Sequence, residues 1–105
     1  MLRFDVNISF LFKEVSFLER FERAARLGFG AVEFPWPGDE NLAAIEARVR
    51  KTGLHVVLMN VDAGDMARGE RGFLNDTNRK EWVRARVLKA IEFATQIACL
   101  SLIHI

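Results

Sequence analysis

The residues best suited to chemistry stand in one polar segment, residues 60–72, which follows a strongly apolar run. Within it, Glu70 and Arg71 place a carboxylate and a guanidinium side by side. A guanidinium can donate two parallel hydrogen bonds to one carboxylate, so Arg71 is predicted to hold a small carboxylate ligand. The alternative is an ion pair inside the loop with Glu70, and Glu70 would then orient Arg71.

Three further polar residues are predicted to lie near the ends of strands. Asn7 and Asn60 each follow apolar residues, where an amide either binds substrate or satisfies free backbone groups. Glu33 stands inside an apolar run, so its charge must be paired or solvated, in a structural network or in a catalytic role. Arg71, Glu70, Asn60, Asn7 and Glu33 are therefore the predicted substrate-binding residues.

The remaining reactive side chains are predicted to be structural. His55 has apolar neighbours, and no second histidine or cysteine stands at a metal-binding spacing, so no metal ligand is predicted. Cys99 is predicted to be an inert core thiol. Trp36 either lines a pocket or packs in the core. Residues 64–69 are not a phosphate-binding loop, because the Lys and Ser/Thr which that motif requires are missing.

The elements that must position these residues follow from periodicity. Alternation predicts a strand over residues 2–12, and Ser16 with Glu19 forms a capping box that begins a helix ending at Gly28. The pattern then predicts a strand over 31–34, a helix that begins at Asn41 and that Thr52-Gly53 ends, a strand over 54–59, a helix from about 77 to 97 and a strand over 100–105. Alternating strands and helices favour an α/β fold with a parallel sheet, whose ligands bind at the carboxyl ends of the strands.

Composition limits the classes of protein. The chain of 105 residues is half hydrophobic and 28% charged, as in one globular domain. Its 15 basic and 14 acidic residues are interspersed, so neither nucleic acid nor an anionic membrane is predicted as a partner. A single cysteine, with neither a signal peptide nor an apolar run of about 20 residues, predicts a cytoplasmic protein.

Several short motifs together resemble one family, the hydroxypyruvate isomerases among the xylose-isomerase-like (β/α)8 barrels. The matching motifs are Arg3-Phe4, Asn7-Ile8-Ser9, Leu11-Phe12, Gly28-Phe29, Val32-Glu33-Phe34, Asn60, Ala63-Gly64-Asp65 and Gly69-Glu70-Arg71-Gly72. The chain departs from the family at Asp62, where a proline is common, and at residues 75–78, which replace a proline-glycine turn.

The resemblance implies a single partial domain, residues 1–105, with about four of the eight strands of a TIM barrel as its N-terminal half. Residues 100–105 also resemble a translated sequencing adapter, so whether they are native is left open, and no chemistry is assigned to His104. Uncovered sheet edges predict self-association of such a half barrel.

The implied activity is the interconversion of hydroxypyruvate and tartronate semialdehyde through an enediol. In the family two glutamates and a divalent metal, Mg or Mn, carry this reaction, and they are expected beyond residue 105, so no catalytic residue and no bound metal are predicted within this chain. The alternatives are a 2-oxo-tetronate isomerase, whose substrate is one carbon longer, and an inactive truncated fragment or small-molecule-binding remnant.

Overall fold

Four parallel strands alternate with three helices in the computed structural model, which describes residues 1–103. The elements are β1 (Asp5–Asn7), α1 (Phe17–Arg26), β2 (Ala31–Phe34), α2 (Leu42–Thr52), β3 (His55–Asn60), α3 (Lys80–Gln96) and β4 (Leu102–Ile103). The strands lie in chain order, and each neighbouring pair is parallel. The predicted parallel α/β fold is confirmed; the predicted end of the last strand and His104 lie outside the described residues.

The ends of the first two helices follow from local sequence. Ser16 donates its backbone N–H to the Glu19 carboxylate at 3.2 Å, and hydrogen bonding to Ser16 lowers the pKa of Glu19. At α2, the Asn41 side chain accepts from the backbone N–H of Ala44 at 3.1 Å. Gly53 ends that helix with a φ of 68°, in the left-handed region that glycine adopts most easily. The capping box and the glycine stop are both as the sequence predicts.

One face of the sheet packs against the helices and forms the core. Its centre is a cluster of three phenylalanines, Phe17 and Phe21 of α1 and Phe34 of β2. Their rings contact each other edge to face, with centroids 5.6 to 5.8 Å apart, and so join α1 to β2. The fully buried residues with the largest side chains are Phe21, Phe34, Phe93, Ile8, Ile45, Met59, Val32 and Val56. The opposite face of the sheet carries Asn7 and Glu33, which lie directly across from each other in the pairing of β1 with β2.

The predicted first strand is too long. β1 spans only Asp5–Asn7, because its neighbour β2 supplies backbone partners from Ala31 onward, and Asp5 pairs with that residue. Leu2 and Phe4 precede the paired segment and are 80% and 69% exposed, although the alternation predicts them on the buried face.

Smaller differences occur at β3 and α3. His55, predicted to be a structural residue within a strand, is the first residue of β3, and its side chain is exposed. Its backbone N–H donates to the carbonyl of Gly30 at 3.0 Å. The helix predicted from about residue 77 begins with a short 3-10 helix, Thr77–Arg79, and Ile91 of α3 is 47% exposed.

Candidate functional site

A cleft of about 540 Å³ opens at the carboxyl ends of the strands, where the sequence places the binding edge. Asn7, Glu33, Asn60 and Arg71 all line it. Other lining residues include Ser9, Phe10, Lys13, Trp36, Asp62 and Met66. Four of the five predicted substrate-binding residues are thus brought together by the parallel sheet and the loop after β3.

Asn7 and Glu33 form a hydrogen-bonded pair on the cleft floor. The Asn7 Nδ2 donates to Glu33 Oε1 at 3.0 Å, and the Asn7 Oδ1 accepts from the backbone N–H of Ser9 at 2.9 Å and from the Ser9 hydroxyl. The Asn7 amide therefore satisfies a backbone donor and fixes one carboxylate oxygen. Within residues 1–103, the other oxygen of Glu33 accepts no hydrogen bond, so it is available to a ligand.

Asn60 is the last residue of β3 and is half-buried in the cleft. Its place is set by the parallel pairing with β4, in which it lies opposite Ile103. The Asn60 side chain makes no hydrogen bond to any other residue in the described part of the chain. Its amide is therefore able to both donate to and accept from a ligand.

The guanidinium of Arg71 is fixed by the main chain of its own loop. Its Nη1 donates to the carbonyl of Met66 at 2.8 Å and to the carbonyl of Glu70 at 2.7 Å. No carboxylate among residues 1–103 forms an ion pair with it, so the ion pair with the Glu70 side chain that the sequence left open does not form. Among the described residues Arg71 thus brings to the cleft a positive charge with no ion-pair partner, and its remaining N–H groups can donate to a ligand.

Glu70 is not part of the cleft lining. Its Oε2 accepts from the backbone N–H of Asp65 at 2.6 Å, and its Oε1 lies 3.8 Å from Nη1 of Arg79. The structure therefore does not bring the Glu70 carboxylate together with the other four predicted residues, and it turns that carboxylate into the loop.

Two further charged residues line the cleft that the sequence does not single out as candidates for binding. Lys13 comes from the loop after β1, and Asp62 follows β3 by two positions. Asp62 Oδ2 lies 3.2 Å from Nε of Arg86, an ion-pair distance without the alignment of a hydrogen bond, while its Oδ1 accepts from the N–H of Gly64 at 2.9 Å. The only sequence signal for Asp62 is its position just after a strand, and Lys13, well beyond the end of β1 at Asn7, lacks even that signal.

Apolar side chains form the walls of the cleft. Phe10 and Met66 are 72% and 52% exposed, on two different loops. Trp36 lines the cleft and also packs edge to face on Phe93, with centroids 6.0 Å apart. Both alternatives for Trp36, a pocket wall and a packed aromatic, are therefore true of it. A small ligand in this cleft would be largely shielded from water on these sides.

The cleft does not fit a divalent metal on its own residues. Within residues 1–103, nowhere do three His, Cys, Asp or Glu side chains converge as a metal site requires. Glu33 is hydrogen-bonded to Asn7, and Asp62 is paired with Arg86.

Cys99 lies outside the cleft, half-buried, and burial raises the pKa of its thiol. The described helices include none that is both long and apolar enough to span a membrane.

Comparison with known proteins gives the family. The model of the xylose isomerase-like TIM barrel matches residues 21–105, and the chain belongs to that family. It is 44% identical to the hydroxypyruvate isomerase of Escherichia coli over 90% of this chain and 36% of that protein. It is 40% identical to the 2-oxo-tetronate isomerase of Haemophilus influenzae over 94% of this chain and 38% of that protein.

A solved structure agrees with the fold. The crystal structure of a protein titled AP endonuclease, family 2, from Brucella melitensis matches with a TM-score of 0.91 and 41% identity, covering 97% of this chain and 40% of that one. The chain thus spans well under half the length of the proteins it matches. Its four strands and alternating helices correspond to the N-terminal half of a (β/α)8 barrel.

Proposed function

We propose that this chain forms the substrate-binding half of an isomerase that interconverts hydroxypyruvate and tartronate semialdehyde. The observation that carries the proposal is the position of Arg71, which lines the same cleft as Asn7, Glu33 and Asn60. Its guanidinium is held by two carbonyls and forms no ion pair with a described carboxylate, so it is available to a substrate carboxylate.

The reaction moves a proton between adjacent carbons of a 2-oxo acid through an enediol. Arg71 would hold the carboxylate, so that the two reacting carbons stay in place during the proton transfer. The free oxygen of Glu33 and the amide of Asn60 would hold the hydroxyl and carbonyl oxygens. The acid and base glutamates and the divalent metal, Mg or Mn, belong in this proposal to the part of a complete barrel beyond residue 105.

The charge of the cleft favours a small monoanion over a polyanion. Lys13 and Arg71 supply two positive charges, and Glu33 and Asp62 supply two negative charges. A nucleic acid backbone would need an excess of positive charge, which neither this cleft nor the net charge of +1 provides. We therefore propose a small 2-oxo acid or hydroxy-aldehyde as the substrate, with no nucleic acid or membrane partner, in a cytoplasmic protein.

A 2-oxo-tetronate isomerase is the second candidate. Relatives with both names match this chain at similar identity, 44% and 40%. The longer substrate has one more hydroxyl-bearing carbon, and a cleft of about 540 Å³ has room for either. The third candidate is a protein without activity of its own, an inactive fragment or a remnant whose cleft only binds small molecules.

The test is an isomerisation assay on a complete barrel that carries this chain as its N-terminal half. Hydroxypyruvate and 2-oxo-tetronate are each supplied in D2O, and the product is followed by NMR. Turnover of either compound, with deuterium at the carbon that gains the proton, supports the enediol reaction. The compound with the larger kcat/KM is the preferred substrate. If neither compound shows turnover or deuterium exchange, the result contradicts an isomerase and favours the remnant.

A further inference from the structure

The loop after β3 is closed by its own backbone. The N–H of Gly72 donates to the carbonyl of Ala63 at 2.8 Å, and the N–H of Glu70 donates to the carbonyl of Asp65 at 3.0 Å. These bonds join an incoming arm, residues 63–65, to an outgoing arm, residues 70–72. Arg71 is in the outgoing arm, so its direction depends on how firmly the two arms are held together.

The side chain of Glu70 lies between the two arms. Its Oε2 accepts the backbone N–H of Asp65 at 2.6 Å, a charge-assisted bond that adds to the backbone pairing. Gly64, with a φ of 93°, leaves the space that the Glu70 carboxylate fills. A Cβ there would collide with that carboxylate and would lie 2.8 Å from a ring carbon of Phe73. The glycine and the glutamate therefore fit each other closely.

The outgoing arm is also tied to α3. Arg79, 3.8 Å from the Glu70 carboxylate, has its guanidinium carbon 3.8 Å from the ring centroid of Phe73. Phe73 in turn packs edge to face on Trp82 of α3, with centroids 5.1 Å apart. Glu70 is thus linked to α3 through Arg79 and Phe73.

We propose that Glu70 is a positioning residue for Arg71 and does not itself touch the substrate. By holding the two arms together, it places the carbonyls of Met66 and Glu70 where they accept from Arg71 Nη1 at 2.8 and 2.7 Å, and so keeps the guanidinium at the cleft. This inference rests on the proposed function, because it assigns Glu70 to the binding of the substrate carboxylate through Arg71.

The test is a double-mutant cycle in a complete barrel. Glu70→Ala should lower kcat/KM about tenfold or more, chiefly through KM, since the guanidinium is no longer fixed where the carboxylate binds. In the Arg71→Ala background the same change should cost less than about twofold. Glu70→Gln, whose amide oxygen can still accept from the N–H of Asp65, should keep most of the original kcat/KM. Glu92→Ala, an exposed change on the outer surface of α3, is the matched control.

Trypsin supplies a readout that needs no substrate. Arg68 and Arg71 are exposed cleavage sites in the loop, and both Glu70→Ala and Gly64→Ala should speed cleavage there while the thermal midpoint of the barrel stays near that of the unchanged protein. An equal loss of kcat/KM in both backgrounds, or unchanged cleavage, would overturn the positioning role. If Arg71→Ala alone leaves the kinetics unchanged while Glu70→Ala speeds cleavage, the substrate assignment fails and the loop architecture stands.

Discussion

Asn7 donates a hydrogen bond to Glu33 across the first two strands, with 3.0 Å between Nδ2 and Oε1. The two residues are paired in the strand register, so the bond is a direct result of the parallel alignment of β1 and β2. With its Oδ1 occupied by Ser9, Asn7 is oriented by its neighbours and Glu33 is oriented by Asn7. From the sequence alone Asn7 and Glu33 are two separate candidates, whereas in the structure they form one hydrogen-bonded unit.

Asn7→Asp should destabilise a complete barrel by about 1 to 2 kcal/mol at pH 7, because a carboxylate replaces the donor and faces Glu33. Urea unfolding at pH 7 measures it, with the exposed Asn78→Asp as the control. A loss no larger than that of the control would show that the donor of Asn7 and the added charge do not govern this pair.

Much of the fold follows from local sequence. Ser16 with Glu19, Asn41 and Gly53 set the helix ends through hydrogen bonds and backbone conformations that act over a few residues, and the structure has them as predicted. The length of β1 does not follow, because it depends on where β2 begins to offer partners, a nonlocal property. Leu2 and Phe4 fit the strand pattern and lie outside the strand for that reason.

The candidate site likewise has a part that follows from the sequence and a part that does not. Parallel strands bring their carboxyl ends to one edge, so the neighbourhood of Asn7, Glu33 and Asn60 follows from topology. The turn of Glu70 away from the cleft depends on side-chain contacts with Asp65 and Arg79 inside an irregular loop, which no periodicity encodes.

Acid should weaken the contact between α1 and α2. Burial raises the pKa of Glu22, but the hydrogen bond from Arg48 at 2.6 Å and the charges of Arg48 and Lys51 outweigh it and leave that pKa below its ordinary value of 4.5. A carboxyl with a lowered folded pKa stabilises the fold above the unfolded value and loses that contribution as pH falls through the folded value.

Glu22→Gln should therefore cost a complete barrel roughly 1 to 2 kcal/mol at pH 7 and much less near pH 3. Urea midpoints at the two pH values measure the difference. Glu46→Gln, which breaks the exposed pair with Arg50 on the surface of α2, should cost at most about 0.5 kcal/mol. Equal costs for the two variants would mean that the partial burial of Glu22 adds nothing.

The 105-residue chain by itself should be poorly folded or self-associating. β1 and β4 are the edges of the described sheet, and Leu2, Phe4 and Leu100 are 80%, 69% and 78% exposed. Free edges and exposed apolar surface favour pairing with another copy. Light scattering during a denaturant titration checks this, and a monomer with one cooperative transition would refute it.

The same chain should show no isomerase activity and no tight site for Mg or Mn. Its described carboxylates do not converge in groups of the kind a divalent metal requires, and Glu33 and Asp62 already have partners. Calorimetric titration with each metal measures this directly. Stoichiometric binding at micromolar concentration would contradict the expectation and would place a metal site in the N-terminal half.

Replacing Arg71 distinguishes a substrate contact from a loop-building residue. Arg71→Lys keeps the charge but loses the planar fork, so it should cost about 1.5 to 3 kcal/mol, or roughly ten- to a hundredfold in kcat/KM, in a complete barrel. Arg71→Ala should cost more. Arg68→Lys, in the same loop but outside the cleft lining, should leave the kinetics unchanged. If Arg71→Lys lowers only the thermal midpoint and leaves kcat/KM intact, the guanidinium shapes the loop through the carbonyls of Met66 and Glu70 and does not hold the substrate.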